Sequence, residues 1–572
     1  MAENTKPKLL VDRANPDKTI DALADIIANA GEFYDHNGDI VEVISDRNSG
    51  LAVIRSVDAG RLILETHKKA RPYFIKNNNG TFEDKDTQFP RELAAMYLSS
   101  NSHLKLAPLK AIISSPLLGL DGSVNCVNGY HKETGFYLTG VPNIAPMIPM
   151  SPTQEEAQDA LRTLREAIKT FPFADAETID DSSGVRVVDT STAPSADESA
   201  CLTAILTAVV RPNLNLAPAL LVHAAETSGA GSGKGKIVRC ICAIAYPSQP
   251  SAITSGQNGD ELEKRITSKL MGHPSCLLLD NMNGLTLKSD LLASVLTENP
   301  AETRILGQSR TVLLSSSAFI AATGNGLIVS EDLARRFIEV RFDAKVEDPE
   351  SREFKGDIVK EITERRPELL TACLTIWRWG LQSLLPKGRA LGGFEQWCAW
   401  VRDPLLALGC IDPVLRISEA KQNDPHRIRK AEIFQAWWKA HRSQPVTASG
   451  VSETVRELLD PQGRGRQYMA KAVSALEGTR IAGFVMSKQR PNGNWGASTY
   501  ALKQIEVEGS MIPMTPMPVS TPEDSDIDYD FGYSSSVYQS EDSHREHRSH
   551  RNVEEKATTI AEPSDDDDWG DT

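Results

Sequence analysis

Nowhere in the 572-residue chain is there a run of about 20 apolar residues, the length a membrane-spanning helix needs. The opening stretch "MAENTKPKLLVDRANPDKTI" likewise lacks an apolar signal core. These two absences argue against a membrane protein and predict a cytoplasmic one. Paired cysteines are missing too. The eight cysteines, at 126, 201, 240, 242, 276, 373, 398 and 410, form no CxxC pair and have no matching histidine spacing. That spacing indicates neither a zinc site nor a disulfide framework, and predicts mostly small buried apolar groups. Aromatic content is only 6% beside 40% hydrophobic residues, the balance of a globular protein with more than one core. Finally, most of the chain lacks net charge. The total is -15, but residues 505–572 hold 18 Asp and Glu against 4 Lys and Arg, leaving 59 acids against 58 bases before them. A face for nucleic acid is therefore not excluded by the acidic total.

The pattern of residues divides the chain into five parts. Residues 1–150 read as an α+β accessory domain, with a helix in "TIDALADIIANA", a hairpin in "FYDHNGDIVEVI" turning at Asn37-Gly38, and a second hairpin in "NGYHKETGFYL". Residues 151–198 read as a helix and linker. Thr153 and Glu156 have capping-box spacing, and Ala157, Ala160, Leu161, Leu164, Ala167, Ile168 and Phe171 share one face. Residues 199–380 alternate apolar runs with helical patterns, as an α/β core with a parallel sheet does: "APALLVHA", "SCLLLDN" and "AFIAATGN" are strands, and "KGKIVRCICAIA" is a helix. Residues 385–504 are helical, with "RQYMAKAVSALEG" and a final pair of strands suggesting a winged helix. "AEIFQAWWKAHR" is expected to bury Trp437 and Trp438. Residues 505–572 lose all apolar periodicity and read as a disordered acidic tail.

The stretch "SGAGSGKGK", residues 228–236, falls between a strand and a helix. Backbone N–H groups converging at a helix N-terminus suit a phosphate, and Lys234 would reach its outer oxygens. Gly229, Gly231, Ser232, Gly233, Lys234 and Gly235 are the candidate binding residues. A flexible glycine turn would fit the same letters. Two positions depart from the phosphate-loop pattern, which wants glycine at 228 and a hydroxyl at 235. Downstream, Asp280 ends an apolar strand where a carboxylate would hold magnesium, and Asn325 ends another where an amide would orient water. Arg335 and Arg336 follow and would stabilise transferring charge at a neighbouring subunit, although such a pair also suits a solvated face. Lys234, Asp280 and Asn325 are 46 and 45 residues apart, consistent with one sheet.

Together "CLLLDNMNGLTLKSDLLASVLT", "TRILGQSR", "FIAATGNGL" and "DLARRFIEVRFD" resemble the AAA+ ATPases, in particular the superfamily 3-like primase-helicases of phages, plasmids and integrative elements. The resemblance covers roughly residues 200–345. It implies an AAA+ P-loop core that uses ATP and Mg2+, with Lys234 as the Walker A lysine, Asp280 as the Walker B aspartate, Asn325 as sensor 1, and Arg335 or Arg336 as the arginine finger. Asn281 stands where many of these enzymes carry a catalytic glutamate. The resemblance also implies a homo-oligomer, expected to be a hexameric ring, acting on single-stranded or forked DNA. In such rings a hairpin between the Walker B and sensor 1 strands projects basic groups into the pore, here Arg304 and Arg310, unless they pair with carboxylates such as Glu302. On the winged unit, Lys488 and Arg490 would hold phosphates beside Trp495. The tail "PSDDDDWGDT" would dock on a primase or other replication protein, or simply solubilise the chain. The expected function is an ATP-dependent helicase or translocase in replication of a mobile element. An initiator or loader that binds ATP with little hydrolysis, and a nonenzymatic scaffold, remain the alternatives.

Overall fold

Buried on both faces, the inner strands of a parallel sheet must be apolar nearly throughout, and the central third of the chain supplies three such runs, flanked by a short exposed edge strand and by one that carries Glu339 and Arg341. In the computed structural model these are β1 (Ala219–Ala224), β2 (Ala252–Thr254), β3 (Cys276–Asp280), β4 (Phe319–Asn325) and β5 (Phe337–Phe342). They lie side by side in the order β2-β3-β4-β1-β5, every pair parallel. The structure describes residues 6–47, 50–182, 184–225, 230–254, 259–284, 286–304, 311–314, 317–351, 356–416, 425–489 and 497–505. Residues 1–506 form one compact unit. Of the acidic tail, all but Ile505 lies outside the described residues.

Strand alternation assigns each side chain of the sheet to one face. Leu220 and Val222 of β1, Cys276 and Leu278 of β3, and Phe319 and Ala321 of β4 join the core that contains α1 (Lys234–Ala245). Leu221, Leu277, Leu279, Ile320 and Ala322 point the other way, toward the helices Gly259–Met271 and Asp290–Thr297. By the same period, Asp280, Thr323 and Asn325 fall on the α1 face. Behind α1 runs the helix Ala196–Val210, buried along almost its whole length; it is mostly apolar after a first turn in which Glu198 pairs with Arg165 and Asp197 accepts the Arg341 N–H. The helix Gln154–Ile168 begins with the expected capping box of Thr153 and Glu156, and its expected face is buried in the same core.

The N-terminal residues have a separate core around Leu9, Leu23, Ile27, Phe33, Leu62 and Tyr97. There the strands Phe33–His36 and Asp39–Ser45 pair antiparallel through Asn37 (φ 54°) and Gly38 (φ 89°), the left-handed pair that a tight hairpin requires. This hairpin meets the rest of the unit at His36, whose Nε2 lies 2.9 Å from Nε2 of His273, just past the helix Gly259–Met271. Burial, with a smaller contribution from His36, pushes the His273 pKa down to about 4. The segment read as a linker holds a short hairpin, Thr178–Asp180 against Arg186–Val188, tied down by buried Val187 and Val188.

Toward the C-terminus, the helices Pro425–His441, Glu453–Leu459 and Arg466–Ser474 pack on an antiparallel sheet of Val446–Thr447, Arg480–Ile481, Phe484–Gln489 and Thr499–Gln504. Trp437 is fully buried there, and Trp438 packs its ring 4.8 Å from that of Phe484. All eight cysteines are free and buried. Among the described residues no helix is long and apolar enough to cross a membrane.

Candidate functional site

Between β1 and α1 the chain turns through the glycine loop. Gly229, with Ser228, lies outside the described residues; Ala230–Gly233 are described. Gly231 (φ 68°) and Gly233 (φ 93°) adopt left-handed backbone, which glycine enters without steric cost. Close packing reinforces that demand at 231, where a Cβ would stand 2.7 Å from the Cα of Glu350. At 233 a Cβ would lie 3.6 Å from the ring of Phe171, which is itself stacked on Phe342. The loop is thus clasped from two sides.

Lys234 opens α1. Only 8% of it is exposed, and its Nζ donates to Ser232 Oγ at 3.0 Å. Burial lowers its pKa from the ordinary lysine value, and the charge of Asp280 opposes that shift. The ammonium is therefore held in a poorly solvated place near a carboxylate, where an added anion would be strongly attracted.

Asp280 ends β3. Its Oδ1 accepts hydrogen bonds from the Thr323 hydroxyl on neighbouring β4 and, at 3.1 Å, from the Asn281 N–H. Gly235 faces the same carboxylate: a Cβ at 235 would lie 3.4 Å from each oxygen. The position that lacks the loop's usual hydroxyl is therefore next to the aspartate that would share its ligand. Asn281 has φ 58°, a left-handed conformation that asparagine adopts far more readily than glutamate. Asparagine therefore suits this turn better than glutamate would.

Asn325 ends β4. Its N–H donates to Asn283 Oδ1 at 2.7 Å, while its own Oδ1 is buried with no hydrogen-bond partner among the described residues. Leaving such an acceptor unpaired costs about 1–3 kcal/mol. Because β3, β4 and β1 are adjacent, Lys234, Asp280 and Asn325 converge at the carboxyl edge of one parallel sheet, the edge where α/β sheets bind ligands. Beside the loop, Phe171, Phe173, Val187, Val188 and Lys345 help line a pocket of about 390 Å³.

Both arginines follow the short helix Glu331–Ala334. Arg336 is buried, with Nη1 2.6 Å from Asp332 Oδ2. Arg335 is exposed and only 3.8 Å from the same carboxylate group. Arg304 lies on an antiparallel hairpin, Ala301–Arg304 against Thr311–Leu314, inserted between β3 and β4. It is exposed and makes no ion pair among the described residues; Arg310 lies outside them. Lys488 is partly buried, 3.3 Å from Glu477 and over the ring of Tyr500, so it is engaged within its own unit. Arg490 and Trp495 lie outside the described residues.

Reading residues singly missed several features. Thr323, Phe171 and Glu350 touch the site though no role was assigned to them from the sequence; for Thr323 the available signal was a lone hydroxyl at an alternating position in "FIAATGN". Regional charge was another signal, since residues 425–505 carry 13 Lys and Arg against 5 Asp and Glu. Exposed Arg464, Arg466, Lys471 and Arg480 account for part of it.

No protein-family model matches the chain, and no curated protein matches it. Among solved structures it is similar to the apo C-terminal region of NrS-1, at 10% identity and a TM-score of 0.33, over 84% of this chain and 98% of that one. It is also similar to the SCCmec type IV Cch active helicase, at 10% identity and a TM-score of 0.29, over 83% and 98%. Scores of this size leave the fold and the site to be argued from this chain's own geometry.

Proposed function

We propose that the protein is an ATP-dependent DNA helicase or translocase with an AAA+ core, working as a homo-oligomeric ring in replication of a mobile genetic element. The observation that carries this reading is the convergence of Asp280 and Asn325, at the ends of adjacent strands, with Lys234 at the start of the helix that follows the next strand, and with Gly235 against the Asp280 carboxylate. Lys234 would neutralise the outer phosphates of ATP, and the clasped loop would offer them its backbone N–H groups. Asp280 would hold Mg2+, which supplies charge neutralisation when bound; a single carboxylate suits that ion, which keeps waters and phosphate oxygens for its other positions. The unpaired Oδ1 of Asn325 is an acceptor suited to orienting the attacking water. Arg335, exposed where Arg336 is buried, is the arginine available to a neighbouring copy's nucleotide. The pocket beside Phe171 has room for a nucleoside.

DNA contacts are expected from exposed Arg304 on the inserted hairpin and from the basic C-terminal unit, through sequence-independent phosphate contacts weakened by salt. The absence of a glutamate after Asp280 favours a second reading, an initiator or loader that binds ATP and hydrolyses little. One experiment separates the two: ATP hydrolysis with Mg2+, with and without single-stranded DNA, beside Lys234→Ala. Turnover that DNA stimulates, and that falls at least about 100-fold in the variant, is expected for a motor. Tight ATP binding without turnover would establish the second reading. Equal turnover in Lys234→Ala would remove the assignment of this site.

A further inference from the structure

Beyond the groups that would touch the nucleotide, β4 presents one side chain with no motif to explain it. Thr323 is 1% exposed, set in a strand whose other interior residues, Phe319 to Ala322, are apolar. A buried hydroxyl is costly unless paired, and this one is paired twice. It donates to Asp280 Oδ1, and it accepts the Asn281 N–H at 3.3 Å. The same backbone N–H also reaches Asp280 Oδ1 at 3.1 Å, so hydroxyl, carboxylate and amide close a small ring. Further along, the Met282 N–H donates to the Thr323 carbonyl at 2.8 Å, fixing the two strand ends together.

We propose that Thr323 is a positioning residue: its hydroxyl fixes the Asp280 carboxylate with Oδ1 turned toward β4, leaving Oδ2, which has no hydrogen bond among the described residues, to face the cation. The inference rests on the ATP-site reading above and adds to it the group that sets the aspartate's orientation. Orientation matters unusually here because position 235 has no hydroxyl to share the ion. With that ligand missing, a carboxylate free to rotate would lose the geometry that the remaining protein contact must supply alone. Two donors on one oxygen restrict that rotation, and the Thr323 hydroxyl reaches it from neighbouring β4, so the orientation is locked as β3 and β4 pair.

Thr323→Val keeps the shape and removes the donor, whereas Thr323→Ser keeps the donor and removes a methyl group. Binding of a fluorescent N-methylanthraniloyl-ATP would be titrated with Mg2+ and with EDTA for the wild type and both variants, alongside melting of the nucleotide-free proteins. The expected result is unchanged affinity in EDTA for all three, with the gain conferred by Mg2+ reduced about tenfold in Thr323→Val and retained in Thr323→Ser. A full Mg2+ gain in Thr323→Val, or an equal loss in both variants, would overturn the proposal. Should Thr323→Val fail to fold, Thr323→Ala against Thr323→Ser makes the same comparison of hydroxyl absent and present. Wild-type protein that bound no nucleotide would instead sink the ATP-site reading, a failure distinct from that of Thr323.

Discussion

Position 235 lies in the first turn of α1, in helical backbone, and a side chain begun there would meet the Asp280 oxygens at ordinary contact distance, 3.4 Å. Position 281 lies one residue past β3 with φ 58°, backbone that glycine enters freely and that asparagine and aspartate adopt more readily than other L-residues. Both depart from the phosphate-loop ATPase pattern, yet one is an omission that the surrounding space would reverse and the other is favoured by the backbone. A missing hydroxyl at 235 can be restored by one substitution. A glutamate at 281 would carry a backbone penalty of about 1–2 kcal/mol in that left-handed turn, a cost the substitution at 235 does not meet.

Stability measurements expose that contrast most cleanly at neutral pH, because His273 perturbs them below it. The unfolded imidazole titrates near 6.5 and the folded one near 4, since burial and His36 disfavour its charge. Between those values the unfolded state binds more protons, so His273's contribution is fully present above pH 6.5 and is lost as pH falls through 4. The loss is expected to be about 2 kcal/mol, allowing for partial exposure. His273→Asn, which tolerates the local φ of 47°, should flatten denaturation midpoints across this window. An unchanged slope would place the acid sensitivity elsewhere.

Above pH 6.5 the backbone claim about position 281 can be tested alone. Asn281→Val should cost about 1–2 kcal/mol, because a β-branched residue is worst suited to left-handed backbone, while Asn281→Gly should stay within about 0.5 kcal/mol of wild type. Urea unfolding of both variants checks this. Equal losses would mean that the Asn281 side chain, not its φ, matters.

Much of this arrangement was legible in the residues, and the limits of legibility have physical causes. "SCLLLDN" and "AFIAATGN" read as buried strands because apolar runs of that length ending in a polar group have few other uses, and "KGKIVRCICAIA" read as a helix by its period. Side-by-side placement of Asp280 and Asn325 did not follow from their spacing, since the order β2-β3-β4-β1-β5 depends on crossovers that no local pattern encodes. Arg335 and Arg336 looked equivalent until the fold buried one against Asp332. The left-handed turn at Asn281 was also invisible: asparagine is common in such turns, but nothing in "LLLDNMNG" says which asparagine turns. Contacts by Phe171 and Glu350 on the loop join residues more than 50 and 100 positions away from it, beyond the reach of any motif.

The smallest expected effect on stability is the most informative about chemistry. Gly235→Ser places a hydroxyl beside Asp280 at a distance the structure already accommodates, and it replaces glycine in a helix, so stability should rise by a few tenths of a kcal/mol or stay level. Its effect should appear in ion dependence instead. A serine there regains the ligand that phosphate loops give to magnesium, so the Mg2+ concentration needed for half-maximal ATP binding should fall several-fold, with binding in EDTA unchanged. If that requirement does not move, the protein already meets the need through another group, and Ser232, which lies 3.0 Å from Lys234 Nζ, becomes the residue to substitute next. If it falls while turnover stays low, the limit lies at position 281, where the backbone withholds a base that one substitution at 235 cannot provide.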